Sequence, residues 1–204
     1  MNSKKTFPLI LASASPRRIE LLHACGLEFR VLPSDVPEDT ALVRPAAIVK
    51  QLALRKAETV AAKHPQGIVI GADTIVVFNG EIIGKPVHQK DAVKILRKLA
   101  GTRHRVYSGI AVVHMATGRT VVEYEASTVK MRKMSLKEIS DVSHKHLDKA
   151  GAYAVQEKDD AFVERIEGDY FNVVGLPLVR LRRILRKFGV DLSRCPQESL
   201  KKKY

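Results

Sequence analysis

Residues 9–26, LILASASPRRIELLHACG, dictate a strand, a short polar turn and a helix in immediate succession. The apolar run 9–12 reads as a strand. Ser15 stands where a helix N-cap belongs, and Pro16 suits the first helical position. Leu21 and Leu22 continue an apolar face, and Gly26 ends a helix over residues 16–25. Arg17 and Arg18 run against helix electrostatics. The N-terminus of a helix carries partial positive charge, so each cation in its first turn costs about 0.3–1 kcal/mol. The pair makes sense if an anion sits there, where backbone N–H groups and guanidinium forks converge on a phosphate. Two exposed arginines that tolerate the dipole fit the local sequence equally well.

At 204 residues the chain is long enough for a sizeable core, as one domain or two small lobes. Its 45% hydrophobic and 28% charged content fits a soluble globular protein rather than a disordered one. No apolar run approaches the ~18–20 residues that span a bilayer, so no membrane partner is expected. The N-terminal lysines and short apolar run imitate a signal peptide only weakly, and they read as a basic tail entering the first strand. Cys25 and Cys195 show no metal or redox spacing. Reduced cysteines and a cytoplasmic location are the default, with Cys25 a small core residue.

A net charge of +13 favours acidic partners: nucleic acid, nucleotides or an anionic surface. Much of it lies on residues 178–188 and on Lys201, Lys202 and Lys203. In the former, Arg180, Arg182, Arg183, Arg186 and Lys187 surround Leu178, Leu181, Leu185 and Phe188. That is amphipathic helix patterning with a solvated basic face. The aromatics that a single-strand nucleic-acid binder interleaves are scarce.

Further strands are expected at 28–32, 67–72, 106–114, 120–131, 151–156 and 162–166. Asn79-Gly80 predicts a hairpin between 75–78 and 81–83. Helices are expected at 45–63, 89–100 and 178–188, with a further one opened by the capping box Ser135–Glu138. Residues 33–44 and 168–177 read as loops, and residues 191–204 as a loosely ordered basic tail. This mixture argues for an α/β fold with a mixed sheet. In the helix 45–63, Lys56 falls among the apolar stripe and is angled toward the protein body. It either snorkels along apolar surface or lines a cleft.

Ligands of open α/β sheets bind beyond the carboxyl ends of strands. Ser13, Ser15, Arg17 and Arg18 follow the first strand, Asp73 and Thr74 follow the run 67–72, and Lys85 sits in a Gly-Lys-Pro turn. This inventory suits a phosphorylated substrate with a divalent metal. No Walker A or G-x-G-x-x-G motif is present. Glu38, between Asp35 and Asp39, is a second carboxylate candidate in what is otherwise a solvated loop. His144, His146 and Asp148 hint at a metal but read better as exposed helix-end residues. His104, between two arginines, reads as a surface residue. Gln156 offers an amide able to hydrogen-bond a base edge.

Five segments in order, 13–18, 71–74, 84–86, 150–156 and 168–177, give the chain a specific pattern. It resembles the Maf family of nucleoside triphosphate pyrophosphatases over nearly all of residues 9–188. The resemblance implies one domain over residues 1–190. Its fold would be elongated and two-lobed, like that of inosine triphosphatases, with a mixed sheet and a central cleft. It implies hydrolysis of a nucleoside triphosphate to the monophosphate and pyrophosphate, with Mg²⁺ or Mn²⁺, as house-cleaning of nucleotide pools. The Ala-Asp-Thr and Gly-Ala-Tyr-x-x-Gln forms are similar to the branch acting on dTTP and UTP. The branch acting on 7-methyl-GTP typically has Ser-Asp-Gln and Gly-Ser-Phe-x-x-Glu.

Position by position, Asp73 matches the proton acceptor, and Arg17, Thr74 and Gln156 match positions linked to substrate choice. Ser13, Arg18, Glu38, Lys56 and Lys85 match polar cleft residues, with Glu38 and Asp73 toward the metal. Two departures stand out. Tyr107-Ser108-Gly109 replaces a more usual Thr-Gly pair, keeping a hydroxyl, and Glu157 stands where glycine is common. The 7-methyl-GTP branch and a nucleic-acid-binding, septum-associated regulator remain as other readings, and a homodimer is allowed.

Overall fold

A computed structural model of the chain describes residues 7–147, 149–155, 162–192 and 195. Strand β1 (Leu9–Leu11) runs through a polar turn into helix α1 (Pro16–Ala24), as the opening segment dictates. The amides of Gly26 and Leu27 reach the carbonyls of His23 and Leu22 and close the helix. Ser15 holds the N-cap position but its side chain makes no capping bond. Its amide donates instead to Ser13 Oγ at 3.3 Å.

There follow β2 (Arg30–Val31), α2 (Pro45–Ala61), β3 (Ile68–Phe78), β4 (Glu81–Ile83), α3 (Gln89–Leu99) and β5 (Arg103–His114). The chain continues with β6 (Arg119–Met131), α4 (Leu136–Val142), β7 (Val163–Glu167), α5 (Tyr170–Val174) and α6 (Leu178–Arg186). The strands form one sheet in the order β2-β1-β3-β5-β6-β7, with β4 on β3. Strand β1 is parallel to β2 and β3, whereas β4 on β3 and β7 on β6 are antiparallel. This is the mixed α/β sheet that the sequence predicts.

Three segments differ from expectation. Residues 68–78 form one strand, so Asp73 and Thr74 lie in mid-strand rather than beyond a strand end. The expected strand at 151–156 is a 3₁₀ turn, Ala150–Ala152, with Gly151 at φ 81°; Gln156 lies outside the described residues. The expected loop 168–177 contains α5, which Asp169 caps by accepting from the Phe171 amide at 2.8 Å.

The chain divides into two compact units. The first comprises Met1–Asp73, Gly109–Tyr124 and Leu178–Gln197, and the second takes Thr74–Ser108 and Glu125–Pro177. In the first unit, α2 lays Ala53 and Ala57 against a sheet face built from Ile10, Val69 and Ala111. Two glycines bring the helix closer still. A Cβ on Gly71 would lie 2.2 Å from the Ala53 carbonyl oxygen, and one on Gly109 would lie 2.0 Å from that of Val49. The α2 backbone therefore rests directly on strand backbone, which sets the height of every side chain on it.

Cys25, expected as a reduced core residue, is bonded to Cys195. The bridge ties the end of α1 to a segment 170 residues away, and both cysteines are buried. On α6, Arg180 and Arg183 both reach Glu123 on β6, so part of this basic face is neutralised within the fold. No helix among the described residues is long and apolar enough to cross a membrane.

In the second unit, α3 buries Ala92, Leu96 and Leu99 and packs with α4 and the 150–152 turn. The predicted capping box opens α4, with Ser135 and Glu138 bonded reciprocally. Asn79 and Gly80 have φ of 49° and 82°, the left-handed pair that a tight hairpin turn requires.

His104 is a correction. It is 2% exposed, and its Nε2 lies 2.6 Å from the Tyr153 hydroxyl. Strand β5 starts three residues earlier than expected, and its alternation turns His104 inward between outward Arg103 and Arg105. His146 is buried as well, whereas His144 is exposed as expected.

Burial lowers the His104 pKa from 6.5 to about 4. Between those values the unfolded chain takes up a proton that the folded chain refuses. Stability therefore falls as pH drops through that window, by about 3 kcal/mol in all. A His104→Gln variant, which does not titrate, should lose less melting temperature between pH 7 and pH 4.5 than the parent. Equal losses in thermal scans would show that His104 is not the group responsible.

Candidate active site

The site assembles where β1 ends and β3 continues past it. Ala12 donates to the Ile70 carbonyl at 2.8 Å, and the chain then turns through Ser13 into α1. Strand β3 runs on to Asp73 beside that turn. Arg18 spans the gap, its Nη1 donating to Ser13 Oγ and to the Ala72 carbonyl, each at 3.0 Å. One guanidinium thus ties the β1–α1 turn to the residue before Asp73.

The second group of contacts centres on Lys56 of α2. Its Nζ donates to Asp73 Oδ1 and to Glu38 Oε1, both at 2.7 Å. Lys56 is 9% exposed and Asp73 6%, so this pair is largely withdrawn from water, while Glu38 is open to solvent. The lysine does not snorkel along apolar surface to water; its ammonium is turned onto two carboxylates. Breaking such a pair by deleting one member is costly because the other charge is left buried.

Burial shifts the Arg18 pKa downward from the ordinary arginine value. Asp73 and Glu38 oppose that shift, and Arg17 adds to it. The guanidinium stays charged throughout the physiological range. The two groups of contacts therefore form one electrostatic unit, with cations and carboxylates interleaved.

Arg55, one residue before Lys56, is the positioning side chain that the sequence reading missed. Its Nη1 donates to the carbonyls of Pro37 at 2.6 Å and Asp39 at 3.1 Å, on either side of Glu38. Thr40 Oγ1 also donates to Gln51 Oε1 at 2.6 Å, pinning the same loop to α2. These bonds turn a solvated acidic loop into a fixed carrier for one carboxylate. The available signal was the run of polar residues at positions 51, 55 and 58 on the face of α2 beside its apolar stripe.

Of the residues that the sequence singled out, the first unit joins Ser13 with Arg18, and Lys56 with Glu38 and Asp73. Arg17, partly exposed, shares the first turn of α1. Thr74 and Lys85 belong to the second unit. Lys85 is exposed in the turn after β4. Thr74 is partly buried, with its Oγ1 2.8 Å from Ser108 Oγ and donating to the Gly175 carbonyl at 3.3 Å. Gln156 and Glu157 fall outside the described residues.

A fixed guanidinium at a helix N-terminus, a buried lysine and two facing carboxylates define a site that can hold a polyanion and order a water beside it. The fold is that of solved Ham1 proteins. The Staphylococcus aureus Ham1 structure superimposes with a TM-score of 0.53 at 18% identity, covering 89% of this chain and 99% of that one. The Coxiella burnetii HAM1 structure gives a TM-score of 0.51 at 14% identity, again over 89% of this chain and all of that one.

The model of the Maf-like protein family matches residues 8–188, and the chain belongs to that family. A relative from Elusimicrobium minutum, named dTTP/UTP pyrophosphatase, is 47% identical over 181 residues, 89% of this chain and 98% of the relative. A protein of the same name from Dictyoglomus thermophilum is 47% identical over 188 residues, 90% of this chain and 97% of its own length. One from Bacillus cereus is 44% identical over 188 residues, 91% of this chain and 97% of its own length.

Proposed function

We propose that the chain is a nucleoside triphosphate pyrophosphatase that hydrolyses dTTP and UTP to the monophosphate and pyrophosphate. One observation carries this reading: the Lys56 ammonium held between Asp73 and Glu38, beside the Arg18 that spans the β1–α1 turn. Relatives 44–47% identical over nine-tenths of the chain bear the name of that activity. The reaction would clear a nucleotide pool, and a cytoplasmic location is part of this proposal. Residues 1–190 act as one catalytic domain.

Arg17, Arg18, Lys56 and Lys85 neutralise the triphosphate. Asp73 orients a water toward the α-phosphorus and takes its proton, while pyrophosphate leaves. Such chemistry rests on positioning and charge stabilisation rather than on a covalent enzyme intermediate. Thr74 and Gln156 contact the pyrimidine.

The donor set fits a hard divalent cation such as Mg²⁺ or Mn²⁺, since two carboxylates converge on one cationic centre. Among the described residues no group of three or more His, Cys, Asp or Glu side chains is assembled for a metal. Glu38 and Asp73 would therefore hold the ion together with substrate phosphate oxygens. When bound, the ion supplies charge neutralisation on the phosphates.

A panel of nucleoside triphosphates with Mg²⁺, scored for pyrophosphate release, tests the reading. Release is expected chiefly from UTP and dTTP. Release chiefly from 7-methyl-GTP would move the chain to the other branch, and release from none would overturn the enzyme.

A further inference from the structure

The proposed reaction asks two things of Lys56. Its ammonium lies 2.7 Å from both Asp73 Oδ1 and Glu38 Oε1. Those carboxylates would hold the divalent cation, and the triphosphate calls on the same ammonium. One nitrogen cannot stay on the carboxylates, leave them to a metal and meet a phosphate all at once. Charge and burial decide the order.

A small divalent cation such as Mg²⁺ needs carboxylate oxygens at about 2.0–2.1 Å. With the ammonium already against both oxygens, the ion must displace it or sit beside it. Sitting beside it is unfavourable: even at the dielectric of water, a unit charge about 4 Å from a divalent ion weakens its binding by more than about tenfold. Displacement cannot use the helix. A Cβ on Gly71 would lie 2.2 Å from the Ala53 carbonyl oxygen and 2.8 Å from the Ala57 amide nitrogen, so the α2 backbone on either side of Lys56 is seated on β3. Only the side chain of the lysine can swing, and the residue is 9% exposed. An ammonium so far withdrawn from water needs another anion when it leaves Asp73, because an uncompensated buried charge is costly.

A free metal ion brings no anion. The surroundings disfavour it as well, since Arg17, Arg18 and Lys56 set three positive charges against the two negative ones of Asp73 and Glu38. A metal-bound nucleoside triphosphate reverses both effects. It carries net negative charge, and its phosphate oxygens offer the ammonium a new partner.

We infer that Lys56 holds the Asp73–Glu38 pair shut against free divalent cations and yields it only to a metal–triphosphate complex, whose phosphate oxygens take over the ammonium. This inference rests on the proposed function, in which those two carboxylates hold the ion.

The test titrates Mn²⁺ into the full chain without nucleotide and counts the free ion by electron paramagnetic resonance. A folded Lys56→Gln protein should bind Mn²⁺ about tenfold more tightly than the parent, or better. Adding Glu38→Gln to that variant should cancel the gain, which locates the ion on the carboxylates. The preformed Mn²⁺ complex of α,β-imido-UTP, which resists cleavage, should show the opposite order by calorimetry and bind the parent at least as tightly as Lys56→Gln. A merely structural lysine would not reverse the order. Glu38→Gln alone changes an exposed side chain and leaves the buried pair intact. It should leave nucleotide-free Mn²⁺ binding as it is in the parent and weaken binding of the nucleotide complex.

A parent that binds Mn²⁺ without nucleotide as tightly as folded Lys56→Gln overturns the inference. So does loss of nucleotide-free Mn²⁺ binding in Glu38→Gln, a result that does not depend on Lys56→Gln folding. A parent that releases no pyrophosphate from UTP or dTTP overturns the proposed function instead.

Discussion

Replacing Asp73 by asparagine should lower the turnover of UTP by about 10²–10⁴-fold while the protein stays folded. The amide has the shape of the carboxylate but cannot take a proton from water. It also removes one of the two anions on Lys56 Nζ, leaving Glu38 at 2.7 Å to hold the ammonium. That remaining partner is why the variant should fold despite the buried lysine. The checks are steady-state rates together with a thermal scan. Near-parental turnover in a folded variant would remove Asp73 from the role of base. A variant that loses its cooperative transition would show that the ion pair is needed for folding first.

Replacing Gly109 by alanine should destabilise the first unit by about 3 kcal/mol or more, the upper part of the range for overpacking. The new Cβ would lie 2.0 Å from the Val49 carbonyl oxygen and 2.4 Å from its carbon. Both are helix backbone, which cannot rotate away as a side chain does. For a chain of this size the melting temperature should fall by about 6–12 °C. Activity should fall as well, because α2 must lift and Lys56 rises with it. Gly84→Ala is the control: nothing lies within 4 Å of its added Cβ, so its melting temperature should stay close to the parent's. Equal melting temperatures for the two variants would contradict the close seating of α2.

Gly71 and Gly109, the two glycines beneath α2, show where sequence reading reaches its limit. The apolar stripe of α2 and the apolar run 67–72 are legible from periodicity alone; the helix forms as expected, and the run becomes the first part of the longer β3. That Gly71 and Gly109 meet the α2 backbone is a long-range fact with no local signature. The site divides in the same way. Arg17 and Arg18 stand out because they violate the dipole rule, and the structure gives Arg18 a half-buried position bridging Ser13 and Ala72. Lys56 was legible as an inward residue, but not its two carboxylate partners, which come from a loop and a strand 18 and 17 residues away.

Asp73 and Thr74 were read as a strand end because two polar residues interrupt an apolar run. The strand nevertheless continues through them to Phe78, between β1 and β5 in the sheet, and pairs with β4 from Val76 onward. His104 was read as exposed because two arginines flank it, yet strict alternation along 103–108 was the better guide. The Cys25–Cys195 bridge could not be read from spacing at all. Asp169 followed by an apolar run and Gly175 did carry the signature of α5, which turn residues at 168 and 177 obscured.

The central claim is that water held at Asp73 attacks the α-phosphorus of a pyrimidine nucleoside triphosphate. It is tested most directly by hydrolysing UTP in water carrying a heavy oxygen isotope and locating the label by phosphorus NMR. The account predicts label in the phosphate of UMP and none in pyrophosphate. Label in pyrophosphate, or release of UDP and inorganic phosphate, would contradict it.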